Sequence, residues 1–295
     1  MTRILLTGKS GQVGAELVAA LAPLGEVVAC DRSTLDLADA AAIAATVRKL
    51  RPDLIVNAAA YTAVDRAESE PELAMAVNGA APGLLAEEAA RLNALLVHYS
   101  TDYVFDGSKH GPYSEEDAPN PLNVYGRTKL AGECAVRASG AKHLILRTSW
   151  VYAAAGKNFL TTILRLAAER DELKIVNDQI GAPTWCRDIA AATAAILRRL
   201  TGPAATDAGA LYGIYNLTAQ DSTSWHGFAE AILALSSAAG TGSRAKLVPI
   251  PTSGYPLPAA RPRNSVLSHD KLRRAFGIEL PHWRASLEAC LAMKR

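Results

Sequence analysis

Cysteine is scarce in this chain of 295 residues, with only Cys30, Cys134, Cys186 and Cys290. They lie far apart, at no metal-ligand spacing, so neither a zinc site nor a disulfide framework is expected. They read as reduced thiols of a cytoplasmic protein. Net charge is small as well: the formal value of +2 gives no electrostatic case for nucleic acid or a membrane surface. No apolar run is long enough to span a bilayer. No basic-then-apolar leader opens the sequence, because Met1-Thr2-Arg3 runs straight into a strand-like segment. Internal repeats and low-complexity tracts are missing too. What remains is 49% apolar and 20% charged, the composition of a globular protein with core enough for one large domain or two smaller ones.

The first half alternates short apolar runs with helical spacing. Arg3-Ile4-Leu5-Leu6-Thr7 fits a buried parallel strand. It ends in Gly8-Lys9-Ser10-Gly11-Gln12-Val13-Gly14, after which Val13, Leu17, Leu21 and Leu24 recur at helical spacing. Strand, glycine turn and helix form the context of a dinucleotide site, where pyrophosphate approaches the free N–H groups of the helix start. Gly8, Gly11, Gln12, Val13 and Gly14 are therefore candidate cofactor contacts. The next strand, residues 26–31, ends in Asp31-Arg32, near the place where the adenine ribose is read. An acid there favours NAD and an arginine favours NADP. Having both leaves the preference open; Lys9 and Arg32 tilt it toward NADPH, with NADH the alternative. Asp36 and Leu37 are placed at the edge of the adenine.

A helix over residues 39–50 is stopped by Pro52, and a strand over 53–57 runs into Ala58-Ala59-Ala60. Such small residues let backbone approach a flat ligand. A long helix over 70–91, carrying Asn78, precedes a strand over 95–100. Then come Thr101-Asp102-Tyr103, a polar loop, a helix with Tyr125 and Lys129, and a strand over 143–147. This alternation predicts an α/β, Rossmann-type doubly wound parallel sheet with ligands beyond the carboxyl ends of its strands. The glycine turn, Ala58 to Ala60, Thr101 and Trp150 all fall at that edge.

Tyr125 and Lys129 stand four residues apart, hence on one face of a helix. A phenol ordinarily holds its proton to about pH 10. A neighbouring ammonium is expected to lower that value and suit the tyrosine to proton exchange nearer neutrality, as reduction of a ketone requires.

Beyond Trp150 the pattern loosens. Helices are expected over 158–170, 184–200 and 225–236, strands over 173–176 and 212–217, and connections over 201–210 and 238–245. Residues 249–262 carry five prolines and read as an ordered, extended segment over a cleft. Arg261 and Arg263 are suited to forked hydrogen bonds with a diphosphate. The expected division is a dinucleotide-binding domain of residues 1–150 plus about 184–217. A smaller, discontinuous substrate domain would take about 151–183 and 218–295.

The glycine turn, Asn57-Ala58-Ala59-Ala60, the run from Ser100 through Gly107 and the Tyr125/Lys129 pair together resemble the extended short-chain dehydrogenase/reductase family. Residues 57–68, 147–152, 177–184 and 261–265 narrow the resemblance to its dTDP-4-dehydrorhamnose reductase branch, from Ile4 to about Trp283. The resemblance implies reduction by NAD(P)H of the 4-keto group of a dTDP-linked 6-deoxyhexulose. It implies that Tyr125 protonates the developing alkoxide, that Lys129 binds the nicotinamide ribose, and that Thr101 donates to the same oxygen. Asp102, Tyr103, Trp150, Asn158, Arg261 and Arg263 would border the nucleotide-sugar. It further implies a monomer or homodimer. Some relatives hold Mg²⁺ at a dimer interface through acids, and Glu16 would be one; Arg187 falls where another acid is needed, so no metal requirement is expected. Two other readings share these motifs: a non-catalytic NADP-binding regulatory subunit, and a nucleotide-sugar epimerase or dehydratase of the same fold.

Overall fold

Six short strands assemble into one parallel sheet in the computed structural model, which describes residues 1–201, 208–238 and 245–293. Across the sheet they run Glu26–Cys30, Arg3–Thr7, Leu54–Asn57, Leu95–Thr101, Lys142–Thr148 and Gly213–Asn216. Every neighbouring pair is parallel. The order in which strands are added reverses at Arg3–Thr7, which opens a crevice at the carboxyl ends of Arg3–Thr7 and its neighbour Leu54–Asn57. Successive side chains of a strand point to opposite faces, and the core splits accordingly. Ile4, Leu6, Val56, Val97 and Leu146 pack with Leu17, Leu21, Ile189 and Leu197. Leu5, Ile55, Leu96 and Ile145 pack with Ile43, Val47, Leu85 and Val136. The helix Gln12–Leu21 lies against Cys186–Thr201 on the first of these faces.

A second unit of structure follows Trp150. Glu172–Val176 pairs in parallel with Lys246–Ile250. Around it, Tyr152, Leu160, Ile163, Phe228, Ile232 and Leu287 form a separate core.

The long helix expected over 70–91 is interrupted. Pro71–Met75 and Ala81–Leu92 are α-helical, but Ala76–Ala80 is a π turn. Pro82 has no N–H to give the carbonyl of Asn78, and that carbonyl instead faces Gly132, where an added Cβ would lie 2.2 Å away. Thr184–Trp185 is a short strand paired with Val151–Tyr152, so the next helix begins at Cys186. Leu272, Phe276 and Leu280, expected in the substrate region, pack into the core beneath the main sheet. The helices Asp270–Phe276 and Trp283–Ala292 were not anticipated from sequence. Most of the connections expected over 201–210 and 238–245 lies outside the described residues. No helix among the described residues is long and apolar enough to cross a membrane.

Candidate active site

The glycine turn is fixed by contact. Gly8 sits at φ +76°, and a Cβ there would come 2.6 Å from Ala59 N. A Cβ on Gly14 would come 1.9 Å from the Gly8 carbonyl oxygen. The turn thus lies flush on Ala58-Ala59. Gly11 opens the helix Gln12–Leu21 with no side-chain cap, leaving first-turn N–H groups available to an anion. Gln12 Oε1 is buried and lacks a hydrogen-bond partner among the described residues.

Beside the turn is a groove of about 130 Å³ lined by Gly8, Asp31, Arg32, Asp36, Leu37, Ala59 and Ala60. Leu35, Tyr61, Leu73 and Val77 complete its wall and were not foreseen. The Asp31 carboxylate accepts from the Ser33 hydroxyl and from the backbone N–H groups of Ser33 and Thr34, and it pairs with Lys9 at 3.3 Å. The Ser33 hydrogen bond foremost, then Lys9 and Thr34, hold it down to about 2 against some desolvation. Arg32 reaches into solvent with Asp36 at 3.4 Å. An open helix start, an orphan carboxamide and a narrow groove with cations at its rim fit a dinucleotide.

The helix Val124–Ala138 carries the second half of the site. Asn123 caps it, accepting from Gly126 N at 2.7 Å, and donates to the Ala260 carbonyl at 2.7 Å. Glu68 accepts from Val124 N at 2.7 Å. Gly126 lies against the Tyr103 carbonyl so closely that a Cβ would be 2.2 Å away. The Tyr103 and Tyr125 rings meet edge to face at 5.8 Å. Thr101, the last residue of its strand, donates to Asp102 Oδ1 at 2.9 Å and accepts from Tyr103 N at 3.1 Å.

The expected acidification of Tyr125 by Lys129 is not what this geometry produces. Burial pushes the Tyr125 hydroxyl up to about 12; a hydrogen bond with Thr101 pulls it back and the Asp102 charge raises it further. The Lys129 amine is turned elsewhere. It donates to the Tyr99 carbonyl at 2.5 Å and lies 3.5 Å from His98 Nε2. Burial brings Lys129 down to about 8, with Glu133 acting the other way. Asp102 is buried and pushed up to about 7, again by desolvation, with the hydroxyls of Ser265 and Thr101 opposing. Its Oδ2 accepts no hydrogen bond of normal geometry among the described residues.

A larger cavity of about 780 Å³ opens beside the second core, lined among others by Phe159, Val176, Trp225, Thr252, Tyr255, Leu257 and Arg261. The proline-rich segment supplies one wall. Arg261 is forked onto Asp65 at 2.8 and 3.0 Å and donates to the Ala259 carbonyl at 2.9 Å; it also lies beside Tyr103. Arg263 is exposed and does not line the cavity; its carbonyl accepts from Ile180 N. Trp150, at φ +46°, stacks on Trp225 with ring centroids 3.5 Å apart. Gly181 makes room for it, since a Cβ there would strike the indole at 2.4 Å. Asn158 caps the helix Phe159–Glu169 and donates to the carbonyls of Ala153 and Ala155. Both ends of its amide are thereby engaged, and it shapes the cavity through its neighbour Phe159.

Glu16, the candidate acid for Mg²⁺, lies 3.7 Å from the Arg187 guanidinium. No group of three or more His, Cys, Asp or Glu that could hold an ion occurs among the described residues. One carboxylate already facing a guanidinium does not fit the oxygen-rich shell Mg²⁺ demands.

A glycine turn at the switch point of a parallel sheet, with a half-buried tyrosine and a buried lysine one helical turn apart, defines a dinucleotide-dependent oxidoreductase of the extended short-chain type. Within that class, the chain belongs to the family described as RmlD substrate binding domain, whose model matches residues 1–295. It is 53% identical over 293 residues to a dTDP-4-dehydrorhamnose reductase of Burkholderia thailandensis, covering 98% of each chain. A dTDP-4-dehydrorhamnose reductase crystal structure from Clostridium acetobutylicum superposes with a TM-score of 0.90 at 35% identity, covering 99% of both chains. The Bacillus anthracis reductase in complex with NADP superposes with a TM-score of 0.89 at 35% identity, covering 99% of this chain and all, 100%, of that one.

Proposed function

We propose that this protein reduces the 4-keto group of dTDP-4-dehydro-L-rhamnose to give dTDP-L-rhamnose, with NADPH as the preferred reductant. The observation that carries the reading is the join between two sites. Arg261 stands in the wall of the large cavity and against Tyr103, whose ring meets Tyr125. A nucleotide-sugar with its nucleotide in that cavity would present its hexose to Tyr125 and Thr101.

NADPH supplies the hydride when bound. The uncapped helix start at Gly11, Gln12, Val13 and Gly14 receives its pyrophosphate, and Asp36 and Leu37 edge the adenine. The Asp31 carboxylate is committed to its own turn, while Lys9 and Arg32 stay at the rim. That balance supports a 2′-phosphate over a free 2′-hydroxyl. Lys129 holds the nicotinamide ribose. Tyr125, protonated across the neutral range because burial lifts it to about 12, gives its proton to the oxygen that gains charge. Thr101, whose hydroxyl donates to Asp102 Oδ1 in the free protein, turns to donate to the same oxygen, a contribution on the order of 3 kcal/mol for donors of this kind. Asp102 and the Trp150/Trp225 stack border the sugar. The enzyme works in the cytoplasm as a monomer or homodimer and needs no metal ion; the Glu16–Arg187 pair supports the last point.

The test is a panel of nucleotide 4-keto-sugars against NADPH and NADH, read by loss of reduced-nicotinamide absorbance. Consumption is expected with the dTDP-linked 6-deoxy-4-hexulose, faster with NADPH. Binding of NADPH with no consumption on any keto-sugar would make the protein a regulatory subunit. Sugar interconversion with tightly retained NAD would make it an epimerase.

A further inference from the structure

The three central strands carry a row of buried polar side chains in matched register. Thr7 is the partner of Asn57, and Asn57 of His98, across the sheet. All three are buried. Their side chains form one continuous chain. Thr7 Oγ1 donates to Asn57 Oδ1 at 2.7 Å, Asn57 Nδ2 lies 3.1 Å from His98 Nδ1, and His98 Nε2 lies 3.5 Å from Lys129 Nζ. The Ala59 N–H donates to Thr7 Oγ1 at 3.4 Å, which anchors the far end beneath the glycine turn. Polar groups in the middle of a sheet are costly unless each is bonded. Strand pairing asks nothing of them, since Ile, Leu and Val fill the neighbouring positions of the same strands.

We propose that His98 is a positioning residue for Lys129, and that the Thr7–Asn57–His98 chain holds the lysine amine in both of its protonation states by reversing its hydrogen bonds as a unit. When Lys129 is an ammonium, a bare His98 Nε2 accepts from it, and the imidazole proton sits on Nδ1 and is given to the Asn57 oxygen. When Lys129 is a neutral amine, the proton sits on Nε2 and is given to Lys129, while Nδ1 accepts from the Asn57 NH₂. The Asn57 amide has an acceptor end and a donor end of the same shape, and the Thr7 hydroxyl both donates and accepts. Each link therefore reverses without moving a backbone atom. Such support matters for a lysine that burial brings to about 8. His98 stays neutral throughout, because burial and the Lys129 charge both hold it well below its usual range. The groups bearing on Lys129 are His98 and the Tyr99 carbonyl from the strand, and Glu133 one turn along its own helix.

The kinetic arm of the test rests on the reductase reading; the binding arm does not. Three substitutions separate hydrogen bonding from packing. His98→Gln puts an amide where Nε2 faces Lys129, His98→Asn reaches only toward Asn57, and His98→Phe keeps the ring and removes both contacts. NADPH affinity is measured by nicotinamide fluorescence from about pH 6 to about pH 9, the range that brackets the lysine. Melting temperature, kcat and KM are followed alongside. His98→Asn and His98→Phe are expected to lose about tenfold in NADPH affinity or kcat, the scale of one hydrogen bond to a charged group. Their alkaline limb moves to lower pH, because a lost acceptor disfavours the ammonium. His98→Gln is expected to stay within about threefold of the parent protein, since it keeps that bond. Parental affinity, kcat and pH profile in His98→Phe would overturn the proposal. So would a His98→Gln that falls as far as His98→Phe, which would make the ring's packing the cause. If the parent protein binds NADPH in the expected pattern but reduces no keto-sugar, the reductase reading fails and the role of His98 stands.

Discussion

Asp102→Asn is the substitution whose effect can be worked most directly from the structure. Burial lifts the Asp102 carboxyl from its usual 3.8 to about 7. At about 1.4 kcal/mol for each pH unit, ionised Asp102 costs the folded state about 4 kcal/mol. The sign follows from the direction of the shift. The folded protein holds this proton more tightly than the unfolded chain does. Its contribution to stability is fully present below about 3.8 and is lost as pH rises through about 7. Asparagine has nearly the same shape and no such proton. The advantage of Asp102→Asn over the parent is therefore expected to grow by about 2–3 kcal/mol between about pH 5 and about pH 8. The assay is urea unfolding of both proteins at both pH values. Any fixed cost of the new NH₂ at the unpartnered Oδ2 position appears equally at each pH and cancels. An advantage that does not change with pH would refute the argument, and with it the claim that this carboxyl is desolvated.

Tyr125→Phe should lower kcat on the order of a hundredfold or more, the scale of a lost general acid, while NADPH affinity is retained; a variant with parental turnover would exclude Tyr125 as the proton donor. Exhaustive treatment with a chelator should leave the rate unchanged, since the Arg187 guanidinium already faces Glu16; loss of rate restored by Mg²⁺ would contradict this.

The parts of the site that sequence made legible are those written in neighbouring residues. The glycine turn, its strand and its helix form one local unit, and Asp31, Arg32, Asp36 and Leu37 line the groove beside it. Tyr125 and Lys129 share one helix, so their spacing alone places them one turn apart. The parts that stayed hidden depend on contacts between distant residues. Arg261 offers itself to a phosphate in sequence, but Asp65, its partner in the fold, is 196 positions away. Trp150 reads as a residue bordering the sugar; nothing near it in sequence announces the Trp225 ring that covers its face. Asn78 sits in an apparently uniform helix, and only the missing N–H of Pro82 hints at the π turn that aims its side chain at Tyr61 and Thr128. His98 looks like one more residue of a buried strand until the register sets it beside Asn57.

The pairwise idea that a lysine acidifies its neighbouring tyrosine gives way to a broader one. A single cause, desolvation, heads the shifts at Tyr125, Lys129 and Asp102. It lifts the phenol to about 12, lowers the amine to about 8 and lifts the carboxyl to about 7. In each case the uncharged form gains. At neutral pH the phenol therefore keeps its proton and the Asp102 carboxyl is about half protonated, while the Lys129 amine, at about 8, is still mostly ammonium. A negative charge appearing on a substrate oxygen there would stand in a site that keeps the Lys129 ammonium one helical turn from Tyr125, in a medium that screens it weakly. Tyr125, which holds its proton, and Thr101, once its hydroxyl turns from Asp102 Oδ1, would then stabilise it more than they would in water. A more acidic tyrosine would work against this. A phenolate formed before hydride transfer would put a like charge beside the developing alkoxide and would leave no proton to give.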